Sequence, residues 1–328
     1  MSKRVLSGIR ASGRLHLGNY LGAIKGMVEL QNNPEYETFY MVADVHTITT
    51  PYSVSQIEKD RIEVVKDYIA AGIDPKESVL FIQSMVPEHL ELSFYLSSVI
   101  SIARMQHLPT YKEKVKQYPE EASMALLNYP VLMAADILAY KSTHVPVGKD
   151  QEPHLEITRQ IARKMNERYN LDFPEPVVFS TEGKYIPSLF GEGKMSKSVE
   201  GSYINLSDNL EEIKTKLAKV PTDSGKGEVF PSKDNAALVS LSKFIEMFCG
   251  EEKLKECMRF YTSSGIRYGD LKKELAEAIF KILRPIQEKR STLTEEYIKE
   301  VIDSGAKRAK SVASKTLTEV KDKMGFSL

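Results

Sequence analysis

Cysteine is nearly missing from this chain of 328 residues: only Cys249 and Cys257 occur. Two thiols without clustered histidines supply neither a disulfide framework nor a zinc site, which fits a reducing compartment. A surplus of charge is missing too. The 45 basic and 45 acidic side chains cancel, so net charge announces no polyanionic partner, although a local basic face needs no surplus. No apolar run reaches the roughly 18 residues of a membrane span, and Met1-Ser2-Lys3-Arg4-Val5-Leu6 enters a first strand without the apolar core of an export signal. These absences predict a soluble, unexported, cytoplasmic protein with no membrane partner. The length allows a full core and about two domains.

What is present alternates strand and helix patterns. Arg4 to Leu6 reads as a strand, Ser7 to Gly22 as a glycine-rich turn opening a helix with apolar positions Leu17, Leu21, Ile24, Val28 and Leu30. Thr38 to Ala43 and Val79 to Ile82 read as further strands around a helix marked by Ile57, Ile62, Val65 and Ile69 and closed by Gly72 and Pro75. Two such units predict a parallel sheet with helices on its faces and a ligand cleft at the carboxyl ends of the strands, where His16, Asp44, His46, Gln83 and Ser84 fall. Residues 88–140 are helical in pattern and interrupted by a polar loop, Thr110 to Pro119. Alternation resumes at His144 to Val147, a helix from about Glu152 to Arg168, and a last strand at Val177 to Phe179. Beyond Leu206 only helices are predicted, with Asp208 as a cap. The closing segment Glu295 to Met324 carries Lys307, Arg308, Lys310, Lys315, Lys321 and Lys323, in isolation the mark of a solvated helix face.

Three stretches carry chemistry. At His16-Leu17-Gly18-Asn19 a strand-to-helix turn offers backbone N–H groups and two donor side chains, suited to a phosphate, or forms only a tight connection. Gly191-Glu192-Gly193-Lys194-Met195-Ser196-Lys197-Ser198 sets two lysines and two hydroxyls on a glycine-flanked loop, as point charges that can neutralise a polyphosphate. The helix Tyr129 to Leu138 is apolar but for Asp136. A buried carboxylate must be satisfied, either by a cap or inter-helix bond or by a donor on a ligand, and an indole N–H is a donor only.

The first two stretches together resemble the paired signatures of class I aminoacyl-tRNA synthetases, the second without a change. Asp136 and its surroundings, with Val145-Pro146-Val147-Gly148-Lys149-Asp150-Gln151, resemble the bacterial tryptophanyl-tRNA synthetases, and the likeness runs over nearly the whole chain. It implies ATP-dependent activation of L-tryptophan to tryptophanyl adenylate and transfer to tRNA(Trp). The fold implied is a Rossmann-type α/β catalytic domain over residues 1–204, with a helical insertion at about 88–140. A helical anticodon-reading domain would follow over 205–328, its last helix able to pack back on the catalytic domain.

Carried over by position, the resemblance implies that Asp136 accepts the indole N–H, that Met133, Val145 and Val147 wall the ring, and that Leu6, Gly8, His46, Tyr129 and Gln151 surround the rest of the amino acid. Arg10, Ser12, His16, Gly18, Asn19, Gly148, Asp150 and Met195 would hold ATP. Lys194, Ser196 and Lys197, with Lys114, would be catalytic through the departing pyrophosphate, Mg2+ arriving with ATP. A homodimer is implied, with the helices from Leu90 to Ile102 as its candidate interface, and the basic final helices become candidate tRNA contacts. Two cysteines cannot supply the four of an iron-sulfur cluster found in some members, so no cluster is expected. Arg10 stands where glutamine is frequent, Ala11 where proline is, and Lys149 where an acidic residue is. The rival readings are a tyrosyl enzyme, a non-catalytic sensor of tryptophan or nucleotide, and another nucleotidyltransferase of the same fold.

Overall fold

The structure is a computed structural model that describes residues 3–327 apart from 12, 149, 150, 180–184, 192, 198 and 233, with only the backbone of 121. Its sheet has five strands, β1 (Lys3–Arg10), β2 (Tyr36–Ala43), β3 (Val79–Ile82), β4 (His144–Val145) and β5 (Val177–Val178), in the order β3-β2-β1-β4-β5. All neighbours run parallel. Phe39 to Val42 of β2 and Val79 to Ile82 are buried almost without a break, as expected of parallel strands covered on both faces. The order reverses direction between β1 and β4, which makes their carboxyl ends a topological switch point.

The helices are α1 (Leu17–Asn19), α2 (Lys25–Gln31), α3 (Ile57–Ala70), α4 (Glu88–Ser97), α5 (Ile102–Gln106), α6 (Pro109–Gln117), α7 (Met124–Ala139), α8 (Glu152–Tyr169), α9 (Leu210–Ala218), α10 (Ala236–Cys249), α11 (Glu251–Thr262), α12 (Tyr268–Ser291) and α13 (Glu295–Met324). Three local features differ from the sequence reading. The strand β1 continues through Ser7-Gly8-Ile9-Arg10, paired with β2 as far as Arg10↔Ala43. Gly8 serves close strand approach there, because a Cβ would stand 3.0 Å from the Met41 carbonyl oxygen. Thr110 to Gln117 is helix, not loop: Pro109 presets its first turn, and the helix buries no residue, so it shows no apolar stripe. Asn209, rather than Asp208, caps α9 in a reciprocal box with Glu212, at 3.0 and 2.7 Å.

The chain groups into two compact units. One comprises Met1–Gly13, Gly26–Thr181 and Leu293–Leu328, the other Arg14–Lys25 and Glu182–Thr292. In the first, α13 packs on β3, α4 and α7. Its Ala309, Ala313, Leu317 and Val320 join one core with Phe39, Phe81, Leu92 and Ile137. Gly305 is required by that packing, since a Cβ would fall 1.7 Å from the Leu80 carbonyl oxygen. Three of the basic residues of α13 face this unit: Arg308 donates to the Pro75 carbonyl at 2.9 Å, Lys321 pairs with Glu91 at 3.0 Å, and Lys310 lies 3.9 Å from Glu88. In the second unit, the segment around His16 is tied to residues 204–206: Leu17 N–H donates to Ile204 and Leu206 N–H to Leu15, at 2.8 and 2.9 Å. The pairing of these distant segments, and the alanine-rich face of α13, are why compactness groups the chain differently from a single cut at 204. Among the described residues, no helix is long and apolar enough to cross a membrane.

Candidate active site

A cavity of about 370 Å³ opens in the first unit at the switch point, within the size range of small-molecule sites. The carboxyl half of β1 supplies Leu6, Gly8 and Arg10, β4 and the residues after it Val145 and Val147, and α7 Tyr129, Met133 and Asp136. His46 and Gln151 complete the set, so all nine residues assigned to tryptophan from the sequence line this one cavity. Arg10 and Lys114, assigned to the nucleotide and the pyrophosphate, line it as well.

Its polar floor is Asp136, 1% exposed. Oδ1 accepts from Gln83 Nε2 at 2.7 Å and from His89 Nδ1 at 2.5 Å, while Oδ2 accepts from His46 Nε2 at 2.7 Å. Burial alone would push this carboxyl up. The hydrogen bonds from His46 and His89 outweigh it and hold the group well below the usual carboxylate range. It is therefore ionised at neutral pH. A carboxylate offers about four acceptor positions. Three are filled, which leaves one on Oδ2, the oxygen shared with the cavity-lining His46. The reading of Asp136 as an acid satisfied by inter-helix bonds is what these contacts show, and the position left on Oδ2 is the one a ligand donor would use.

Other polar groups are committed to the protein. The Tyr129 hydroxyl lies 2.9 Å from Thr110 Oγ1 and 2.5 Å from His154 Nε2, so the cavity meets mainly its ring. Arg10 Nη2 donates to the His46 carbonyl at 2.7 Å and to the Thr49 and Thr50 hydroxyls at 3.1 and 3.2 Å. Lys114 donates to Gln117 at 3.0 Å and lies over the Tyr118 ring. Gln83 and His89 were not assigned a role from sequence. Gln83 had a signal, its place at the carboxyl end of β3; a single histidine in a helical pattern such as His89 had none.

The signature residues described in the second unit cohere. His16 precedes α1 as its cap: Nδ1 accepts from the Asn19 backbone at 3.2 Å, and Asn19 Oδ1 accepts from the His16 backbone at 3.1 Å. Nδ1 being an acceptor, Nε2 carries the ring proton and is a donor. Burial, then the charges of Lys197 and Lys194, push His16 down to about 4, so it is neutral at pH 7. Gly18 is required by the protein itself, since a Cβ would meet the His16 ring at 3.0 Å and Met195 Cβ at 3.2 Å. Met195 is buried, its N–H bonded to the Ile186 carbonyl at 2.9 Å, and the Ser196 carbonyl accepts from Ser202 at 3.1 Å. The two sequence stretches are thereby one assembly, the lysine pair biasing the histidine's protonation. Gly148, exposed after β4, belongs to the first unit. Ser12 and Asp150, also assigned to ATP, lie outside the described residues, as do Lys149 and Ser198.

The family model for tRNA synthetases class I (W and Y) matches residues 2–284. The tryptophan–tRNA ligase of Porphyromonas gingivalis is 39% identical, covering 98% of this chain and 99% of the relative. That of Helicobacter pylori strain 26695 is 40% identical, covering 99% of each. The chain belongs to the tryptophan–tRNA ligases. Among solved structures, the tryptophanyl-tRNA synthetase of Campylobacter jejuni complexed with ADP and tryptophan superposes with a TM-score of 0.86 at 33% identity, over 98% of this chain and 99% of that one. The α/β fold of this tryptophan–tRNA ligase family member, with its helical region, is that of the family.

Proposed function

We propose that this chain activates L-tryptophan with ATP and transfers it to tRNA(Trp). The observation that carries the reading is the cavity floor: one ionised, fully buried carboxylate with a single acceptor position left, among Met133, Val145 and Val147. Such a site selects a flat apolar ring bearing one N–H. His46, by bonding Asp136, fixes the acceptor's direction, and Leu6, Gly8, Tyr129 and Gln151 shape the rest of the space.

ATP, as its Mg2+ complex, is assigned in the second unit to His16, Gly18, Asn19, Lys194, Met195, Ser196 and Lys197. A carboxylate oxygen of tryptophan bonds to the α-phosphorus as the bond from that phosphorus to the bridging oxygen breaks, and pyrophosphate leaves. No side-chain nucleophile or base is needed, so the protein acts by positioning and by neutralising charge on the leaving group. Neutral His16 donates from Nε2, and Lys194 and Lys197 supply the positive charge. The terminal ribose hydroxyl of the tRNA then attacks the acyl carbon, releasing AMP and a proton.

The reading extends to a cytoplasmic homodimer with a helical anticodon-reading region. Supporting the dimer, Leu90, Phe94 and Ile102 on α4 and α5 expose apolar side chains, Phe94 to 78%, and Leu90 and Phe94 line a groove with Val45, Ile48 and Leu132. Sedimentation tests this part: a single species of monomer mass at micromolar concentration would contradict it. The whole function is tested by charging of unfractionated bacterial tRNA with labelled tryptophan, where acid-precipitable label is expected and its absence with active ATP turnover would refute the transfer step.

A further inference from the structure

The tryptophan reading leaves a cluster beneath the cavity without a role. His89 is fully buried on α4 and bonds Asp136 of α7 and Tyr140, the residue that follows α7: Nδ1 lies 2.5 Å from Asp136 Oδ1, and Nε2 lies 2.6 Å from the Tyr140 hydroxyl. Neither His89 nor Tyr140 lines the cavity. Burial, with the nearby Asp136 and Glu88 carboxylates, pushes the Tyr140 phenol well above its ordinary range, so it keeps its proton. Asp136 Oδ1 can only accept, so the proton of a neutral His89 ring sits on Nδ1 and leaves Nε2 to accept from the Tyr140 hydroxyl. The bonds then run in one direction: Tyr140 O–H to His89 Nε2, His89 Nδ1–H to Asp136 Oδ1.

We infer that His89, oriented by Tyr140, is a positioning residue for tryptophan selection: it saturates Oδ1 of Asp136 together with Gln83 and thereby aims the remaining acceptor position, on Oδ2, into the cavity. Without the His89 donor, the carboxylate has a vacant position on its inner oxygen and is free to rotate away from the ligand. Three features argue that the arrangement is more than satisfaction of a buried acid. Gln83 is held in turn, its Oε1 accepting from the Val45 N–H at 3.1 Å. The Tyr140 ring is clamped between Phe39, stacked at 4.6 Å, and Phe81 at 5.6 Å. The two inner donors both reach Oδ1, so all the freedom left to the carboxylate lies on the cavity side. A network with every member satisfied transmits position well and tolerates loss of a member poorly.

The inference rests on the tryptophan reading, and the test separates the two. The assay is ATP–pyrophosphate exchange with tryptophan and with β-(benzothiophen-3-yl)alanine, in which sulfur replaces the indole N–H. If the wild-type chain shows no exchange with tryptophan, the pocket reading falls and the inference with it. Given exchange, His89→Phe is expected to raise the KM for tryptophan by about 10- to 100-fold, the effect of weakening a charge-assisted hydrogen bond. The KM values for ATP and for the benzothiophene analogue are expected within about twofold of wild type, because neither uses Asp136 as an acceptor. His89→Asn, whose amide N–H can stand in for Nδ1–H, recovers most of the loss. Equal changes for tryptophan and the analogue, or no rescue by a folded His89→Asn, overturn the inference. If His89→Phe does not fold, Tyr140→Phe decides: it removes one oxygen, and a selective rise of about 3- to 10-fold in the tryptophan KM supports the relay, whereas an unchanged KM overturns it.

Discussion

Replacing Asp136 by asparagine changes no volume and tests the acceptor directly. The carboxylate now accepts from Gln83 and His89 on one oxygen and from His46 on the other. An asparagine that keeps its carbonyl inward retains the first two bonds and presents an NH2 group to the cavity. His46 can meet that group with its other tautomer, but an indole N–H would face a second donor. The opposite orientation keeps an acceptor for the indole and leaves Gln83 and His89 pointing donors at an NH2, each costing about 1–3 kcal/mol. The inward orientation is therefore the cheaper one. Tryptophan then loses a charge-assisted bond worth about 1.5–3 kcal/mol, which is roughly 10- to 150-fold in affinity. Steady-state exchange kinetics should show that rise in the tryptophan KM, with the ATP KM within about twofold of wild type and a modest loss in Tm. An unchanged tryptophan KM in a destabilised protein, or a parallel loss for ATP, would refute the argument and leave Asp136 a structural acid.

Four further outcomes follow from the geometry. His16 should titrate near pH 4 by NMR in the free protein and move upward when ATP brings negative charge; no movement would remove it from the nucleotide site. Between pH 6.5 and about 4 the unfolded chain binds a proton at His16 that the folded chain refuses, so stability should fall as pH falls through that window, by on the order of 3 kcal/mol for this group. Lys197→Ala removes one of the charges that depress His16 and should raise its pKa while lowering exchange kcat by about 100-fold, both readable on one preparation. Gly305→Ala puts a methyl 1.7 Å from a β3 carbonyl, an overpacking cost of about 3 kcal/mol or more; a Tm within a degree of wild type would contradict the placement of α13 on the sheet.

The parts of this molecule that were legible in sequence are those where one physical rule acts locally. Val79 to Ile82 and Thr38 to Ala43 are apolar runs that only a doubly covered parallel strand explains, and Glu295 to Met324 keeps a helical stripe throughout. The polar helix α6 was not legible, because it buries nothing and so prints no period on the sequence. Gly8 and Gly18 have packing roles that the sequence did not show: Gly8 admits Met41 across the sheet, and Gly18 admits the His16 ring and Met195. The candidate site's charged groups, the lysine loop and the lone carboxylate of an apolar helix, stood out in the sequence. Their support did not. His89 reaches Asp136 over 47 residues of sequence, and only the packing of α4 on α7 creates that contact. Arg10, expected at the nucleotide, lines the Asp136 cavity and donates to His46, Thr49 and Thr50, contacts that its place in the sequence did not show.

The central claim is that the Asp136 cavity chooses the amino acid, and amino-acid-dependent ATP–pyrophosphate exchange with tryptophan and tyrosine side by side tests it most directly. Exchange that depends on tryptophan and stays at background with tyrosine is the predicted result. Exchange supported by tyrosine and not by tryptophan would contradict it.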